Sequence, residues 1–144
     1  GSPDAVEAAS EIAKSRGARA VPLKVSGAWH SELIRGAEDD LKKHLASLSF
    51  SKPAIPVIHN VTAEATDDPD EIREIMVQQL CSPVRWYDTM CKLMDEEIDI
   101  LVEVGPGKVL SGLLRKTLPK DYPARQYAVN DLGSLEVFLK DVTA

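Results

Sequence analysis

Ile98-Asp99-Ile100-Leu101-Val102-Glu103-Val104-Gly105-Pro106-Gly107-Lys108 is the stretch that decides the fold class. Residues 98–104 form a mostly continuous apolar run, as a strand covered on both faces does. Gly105-Pro106-Gly107 breaks the run, and residues 108–117 continue with helical spacing. A buried strand that turns directly into a helix is a unit of parallel sheet, because parallel neighbours require a long crossover. Downstream, residues 127–129 read as a last short strand and residues 134–142 as a last helix.

Upstream, the punctuation is mostly helical. Ser2 is a candidate cap, Pro3 suits the first helical position, and Asp4 and Glu7 favour the positive end. Val6, Ala9, Ile12 and Ala13 make one stripe, which Gly17 ends. Residues 20–26 read as a strand, with Pro22 pointing to a sheet edge. Residues 31–48 read as a second helix carried by Leu33, Ile34, Ala37, Leu41, Leu45 and Leu48, and residues 55–59 as a short buried strand. Asp68-Pro69 opens a third helix with Ile72, Ile75, Met76, Gln79 and Leu80 inward, and Ser82-Pro83 closes it and opens a fourth running to about Glu96. Strands alternating with helices give an α/β fold with a largely parallel sheet. Three or four short strands are few for 144 residues, and the chain opens on a helix with no strand before it. That pattern is expected of the C-terminal portion of a larger α/β protein.

Composition narrows the function classes. An apolar fraction of 44% and a charged fraction of 28% suit a soluble globular domain. The net charge of -6, with no lysine and arginine cluster, speaks against nucleic acid as a partner. No apolar run is long enough to span a membrane, and no secretory signal is visible. Cys81 and Cys91 form neither a C-x-x-C nor a metal spacing, so reduced thiols and a cytoplasmic location are expected.

Three places could carry chemistry. His30 comes after the small residues Ser26, Gly27 and Ala28 and stands at the expected start of a helix, where the dipole disfavours positive charge and favours a neutral proton acceptor. On position alone, a surface or capping histidine is the commoner case. Gln79 shares the apolar face of its helix; a buried amide needs partners and can orient another group, although most merely tie a helix to a nearby backbone. Gly105-Pro106-Gly107-Lys108 invites a phosphate-loop reading, but Val102 stands where that pattern needs glycine and Val109 where it needs serine or threonine. A tight strand-to-helix turn is the better reading. His44 and His59 are weaker signals, and no His, Cys or carboxylate spacing suggests a metal.

Four segments taken together resemble one family. They are residues 25–31 (VSGAWHS), 55–61 (IPVIHNV), Gln79-Leu80 with 82–86 (SPVRW), and 103–110 (EVGPGKVL). In order and spacing they are similar to consecutive motifs of malonyl-CoA:acyl carrier protein transacylase, over about residues 2–118. The resemblance implies a ping-pong acyl transfer with no bound cofactor. A serine on a G-x-S-x-G elbow takes malonyl from coenzyme A and passes it to the phosphopantetheine thiol of acyl carrier protein. It implies that His30 is the base, that the backbone carbonyl of Gln79 holds it, and that Asn60 lies near the site. Trp29 stands where the family usually has phenylalanine. Relatives that accept methylmalonyl often have a small residue there, so the ring implies malonyl preference.

The family's serine, malonate-binding arginine and oxyanion-hole donors have no counterpart here, and no G-x-S-x-G occurs in the 144 residues. The resemblance therefore implies that residues 1–27 end a small ferredoxin-like subdomain. Residues 28–144 would belong to the C-terminal part of a large α/β-hydrolase-like domain. The expected partners are acyl carrier protein, a coenzyme A thioester and the N-terminal part of the same enzyme, without which the chain is expected to be inactive. The alternative is a non-catalytic fragment or a carrier-protein-binding module.

Overall fold

The computed structural model describes residues 1–143, which divide into two compact units between Arg85 and Trp86. The first unit is helical. It contains α1 (Pro3–Ser15), a 3-10 helix (Glu32–Ala37), α2 (Glu38–Ala46) and α3 (Pro69–Gln78). The second contains α4 (Trp86–Asp95), β1 (Ile100–Val104), α5 (Val109–Thr117), β2 (Arg125–Val129) and α6 (Leu132–Thr143). No helix among the described residues is long and apolar enough to cross a membrane.

In the first unit the strongest local signal holds. The Asp68 carboxylate accepts from the N–H groups of Asp70 at 2.8 Å and Glu71 at 3.2 Å, and Pro69 occupies the first turn of α3. α2 and α3 pack together, burying Leu45 and Ile75. The Arg73 guanidinium lies 4.9 Å from the centre of the Phe50 ring.

Several expectations for this unit are corrected. Residues 20–26 form no strand: no neighbour offers them a ladder, and the Val25 N–H donates instead to Leu23 O, two residues back, at 3.0 Å. Residues 55–59 supply only an isolated antiparallel bridge, Ile58 to Ala65. The helix expected over 31–48 is a 3-10 helix followed by a short α-helix, with Gly36 near the junction and Glu38, Asp39 and Asp40 starting α2. The fourth helix starts at Trp86 rather than beside Pro83. Ser2 makes no side-chain cap bond, and the apolar stripe of α1 is not buried.

The second unit is a β-α-β motif with flanking helices. β1 and β2 run parallel, in register from Ile100 opposite Arg125 to Val104 opposite Val129. The expected three or four strands are therefore two among the described residues. Met90, Leu101, Leu114 and Leu118 form the core, with Trp86, Leu93, Met94, Ile98, Tyr122 and Ala124 packed on it. Strand alternation puts Leu101 and Glu103 on one face and Val102 and Val104 on the other. Val104 is 79% exposed, so β1 is covered on one face, not on both as its apolar run suggested. The Tyr122 hydroxyl donates to Ile98 O at 2.9 Å, and the Tyr127 and Phe138 rings meet edge to face at 5.1 Å.

The turn from β1 to α5 needs glycine at both ends, since Gly105 has φ +134° and Gly107 φ +92°. The Glu103 carboxylate accepts from Leu110 N–H at 3.0 Å, from Ser111 N–H at 2.8 Å and from the Ser111 hydroxyl at 2.5 Å. These bonds, led by the Ser111 hydroxyl, hold Glu103 below the usual carboxylate range. The amino end of α5 is thus filled by a carboxylate from the preceding strand. This gives a physical reason, beyond the failed glycine pattern, why the loop is no phosphate cradle.

Candidate active site

His30 has φ +62°, left-handed backbone that costs a non-glycine residue roughly 1–2 kcal/mol. Such outliers persist where the surroundings hold them, and they gather at functional sites. The local frame is specific. The Ser31 hydroxyl donates to Ala28 O at 2.6 Å, closing a tight turn around Trp29 and His30. His30 therefore does not begin an α-helix, as the sequence suggested. It precedes a 3-10 helix whose N-cap is Ser31.

The turn sets the imidazole against the end of α3. Nδ1 of His30 lies 3.0 Å from Gln79 O and 3.0 Å from Gln79 Nε2. Gln79 is the C-cap of α3, so its carbonyl is among those a helix end leaves without an intrahelical partner. The imidazole lies within hydrogen-bond distance of that acceptor. No other hydrogen bond engages the ring among the described residues.

Trp29, His30, Ile34, Met76, Gln79 and Leu80 line an open pocket of about 190 Å³. Met76, Gln79 and Leu80 reach it from the end of α3 because positions three and four apart share a helix face. The sequence pattern puts Met76 in the core, but it is half exposed at this pocket. Ile34 shows in sequence only as part of a helix stripe; nothing there ties its turn to the end of α3. Trp29 is 61% exposed and packs over Gly27, where an added Cβ would lie 2.8 Å from Cε2 and 2.9 Å from Cζ2 of the indole.

The structure thus brings together His30, Gln79 and Trp29. Asn60 does not line this pocket; its carbonyl accepts the Arg85 N–H at 2.9 Å. His44 is exposed on α2, and His59 sits in the turn beside the isolated bridge with Nε2 buried and unpaired. Cys81 lies in the turn after α3. Desolvation, then a hydrogen bond to Glu38, raises its pKa, so the reactive thiolate is disfavoured.

An imidazole anchored through one nitrogen at the rim of a small apolar pocket can move a proton to or from a group in that pocket. The sequence pattern of the acyl transferase domain family matches residues 1–137, and the chain belongs to that family. Within it, the chain is 40% identical over 141 residues to the malonyl CoA-acyl carrier protein transacylase of Bacillus subtilis, covering 97% of this chain and 44% of that relative. The acyl carrier protein S-malonyltransferase of Vibrio cholerae superposes with a TM-score of 0.83 at 43% identity, over 94% of this chain and 44% of that one. A malonyl-transacylase solved with a type II polyketide-synthase acyl-carrier protein gives a TM-score of 0.88 at 36% identity, over 96% and 44%. The chain spans less than half the length of these relatives, matching their C-terminal part.

Proposed function

We propose that this chain supplies the histidine of a malonyl-CoA:acyl carrier protein transacylase, acting with a serine from a segment outside the 144 residues. The observation that carries the reading is the contact of His30 Nδ1 with Gln79 O, in a chain whose relatives are malonyl transacylases. With Nδ1–H donating to that carbonyl, Nε2 keeps its lone pair. Nε2 takes the serine proton as the hydroxyl attacks the malonyl thioester, and returns it to the departing coenzyme A sulfur. In the second half-reaction the phosphopantetheine thiol attacks the acyl-serine, His30 takes the thiol proton, and the serine oxygen recovers it. No acidic third member is needed, because the carbonyl also accepts from the imidazolium.

In this reading residues 1–27 close a small subdomain and residues 28–144 belong to the large one. The apolar side chains of Val21, Leu23, Val25 and Val104, all exposed, would be covered by the rest of the enzyme. Trp29 narrows the pocket and favours malonyl over branched acyl groups; in the complete enzyme, Trp29→Ser should raise methylmalonyl transfer relative to malonyl.

The test is reconstitution with a polypeptide carrying the G-x-S-x-G segment of a relative. Malonyl transfer should require both parts and fall about 10²–10⁴-fold with His30→Ala. Transfer by the 144 residues alone, or transfer indifferent to His30, would overturn the reading.

A further inference from the structure

Glu32, Arg35 and Glu38 stand three residues apart in the segment that follows His30. Nε and Nη2 of Arg35 donate to the two carboxylate oxygens of Glu32, each at 2.5 Å, and Nη1 donates to Glu38 at 3.1 Å. One guanidinium thus joins two carboxylates in a ladder along the 3-10 helix. The spacing suits that helix. At three residues per turn, positions 32, 35 and 38 fall in one row. In an α-helix each step of three falls about 60° short of a turn, and the two glutamates would lie about 120° apart.

The apolar spacing asks for the other form. Ile34, Ala37, Leu41 and Leu45 recur every three or four residues, as one α-helix from residue 31 onward requires. The two patterns conflict over residues 32–37, and there the chain follows the charges. Exposed ion pairs add little to overall stability. This one need only choose between two helical forms of the same short segment. Its fork is two-pronged at Glu32, and Glu38, at the start of α2, is the sheltered end, with its side chain 23% exposed. The hydrogen bond of Cys81 to Glu38 moors the ladder to the turn after α3.

The pitch bears on His30. α2 packs on α3, which fixes the far end of the segment, and Gln79 caps α3. Six residues span about 12 Å as a 3-10 helix and about 9 Å as an α-helix. The difference, about 3 Å, is as large as the whole contact between His30 Nδ1 and Gln79 O, which is 3.0 Å. We propose that Arg35 is a positioning residue: by joining Glu32 to Glu38 it holds residues 32–37 in the 3-10 form, and that pitch sets the imidazole against the end of α3. The inference deepens the function proposed above and rests on it for its catalytic meaning; the choice of helix is a property of this chain.

The test is NMR of the 144-residue chain, with two readouts. The backbone Overhauser pattern of residues 32–38 separates a 3-10 helix, with contacts from i to i+2, from an α-helix, with contacts from i to i+4. The ring signals of His30, assigned by comparison with His30→Gln, report its contact. Arg35→Met keeps the side chain's length and removes the fork. It should turn residues 32–37 to the α pattern and move the ring signals. Arg35→Lys keeps the charge without the fork and should fall between. Glu32→Gln should act in the same direction as Arg35→Met and add nothing to it in the double variant. Circular dichroism identifies variants that remain folded, and Glu32→Gln, nearly equal in size to the native residue, serves if Arg35→Met does not. A folded variant with the native helix pattern, or one that turns to the α pattern with the ring unmoved, would overturn the proposal. In the reconstituted enzyme, Arg35→Met should lower kcat about 10–100-fold and leave KM for malonyl-CoA unchanged. A shifted helix and ring in the chain, with no malonyl transfer by the native pair, would sink the functional reading and leave this one standing. Native kcat in Arg35→Met with the native helix pattern would do the reverse.

Discussion

Two extended stretches of this chain meet different fates. Leu101 in β1 is almost fully buried, its strand hydrogen-bonded along its length to β2. Val21, Leu23 and Val25 alternate just as regularly, yet are 59%, 79% and 68% exposed and join no strand among the described residues. The difference lies in the sequence immediately downstream of each stretch. After β1 the chain supplies a tight turn, a helix with an apolar face and a second strand, all within residues 100–129. After Val25 it supplies a turn that presents His30. The second unit builds its own core from nearby sequence, whereas the apolar stretch of the first faces outward.

The largest break in this comparison should come from Leu114→Ala. It removes a central side chain of the cluster with Met90, Leu101 and Leu118 and should cost about 2–5 kcal/mol in chemical denaturation. A loss near that of a surface substitution would mean that the second unit does not depend on this core. Next is Asp68→Ala, which strips α3 of its cap and should cost about 1 kcal/mol. Because α3 ends at Gln79, the same change should also loosen the His30 contact, visible as altered ring signals. An unperturbed imidazole would separate the helix start from the site at its end.

Those two effects bear on how much of the molecule its sequence discloses. α3 is legible because Asp68-Pro69 is a purely local signal, and the β1-to-α5 turn because Gly105-Pro106-Gly107 is another. The failed strands at 20–26 and 55–59 carry good apolar patterns, but a strand exists only by pairing, and pairing is not local. At the site, Gln79 shows itself by sharing a helix face with Met76 and Leu80. Its contact with His30 spans 49 residues, and only the family motifs link the two. The left-handed backbone of His30 leaves only a faint signal in its residue type, histidine being among the side chains enriched at positive φ.

A smaller effect is a pH dependence carried by the second unit. Glu103 has its pKa lowered by Ser111 and the amino end of α5. Its contribution is therefore complete above the ordinary glutamate range and fades as pH falls through the lowered folded value. Glu103→Gln should flatten the acid limb of the stability curve in this part of the chain; an unchanged limb would remove Glu103 from the account. Smallest is Leu23→Ser, expected to change stability by less than about 0.5 kcal/mol while improving solubility. A larger loss would show that the open stretch packs more than its exposure implies.

The indole of Trp29 over the bare backbone of Gly27 has a consequence for how this site can change through descent. A larger residue at position 27 would push the ring from its present seat, because the first carbon added would lie under 3.0 Å from it. Once Trp29 has become small, position 27 opens to substitution. The two positions are therefore coupled: a side chain at 27 and the present seat of the indole are alternatives, so a change at 27 alters the pocket that the indole helps to line.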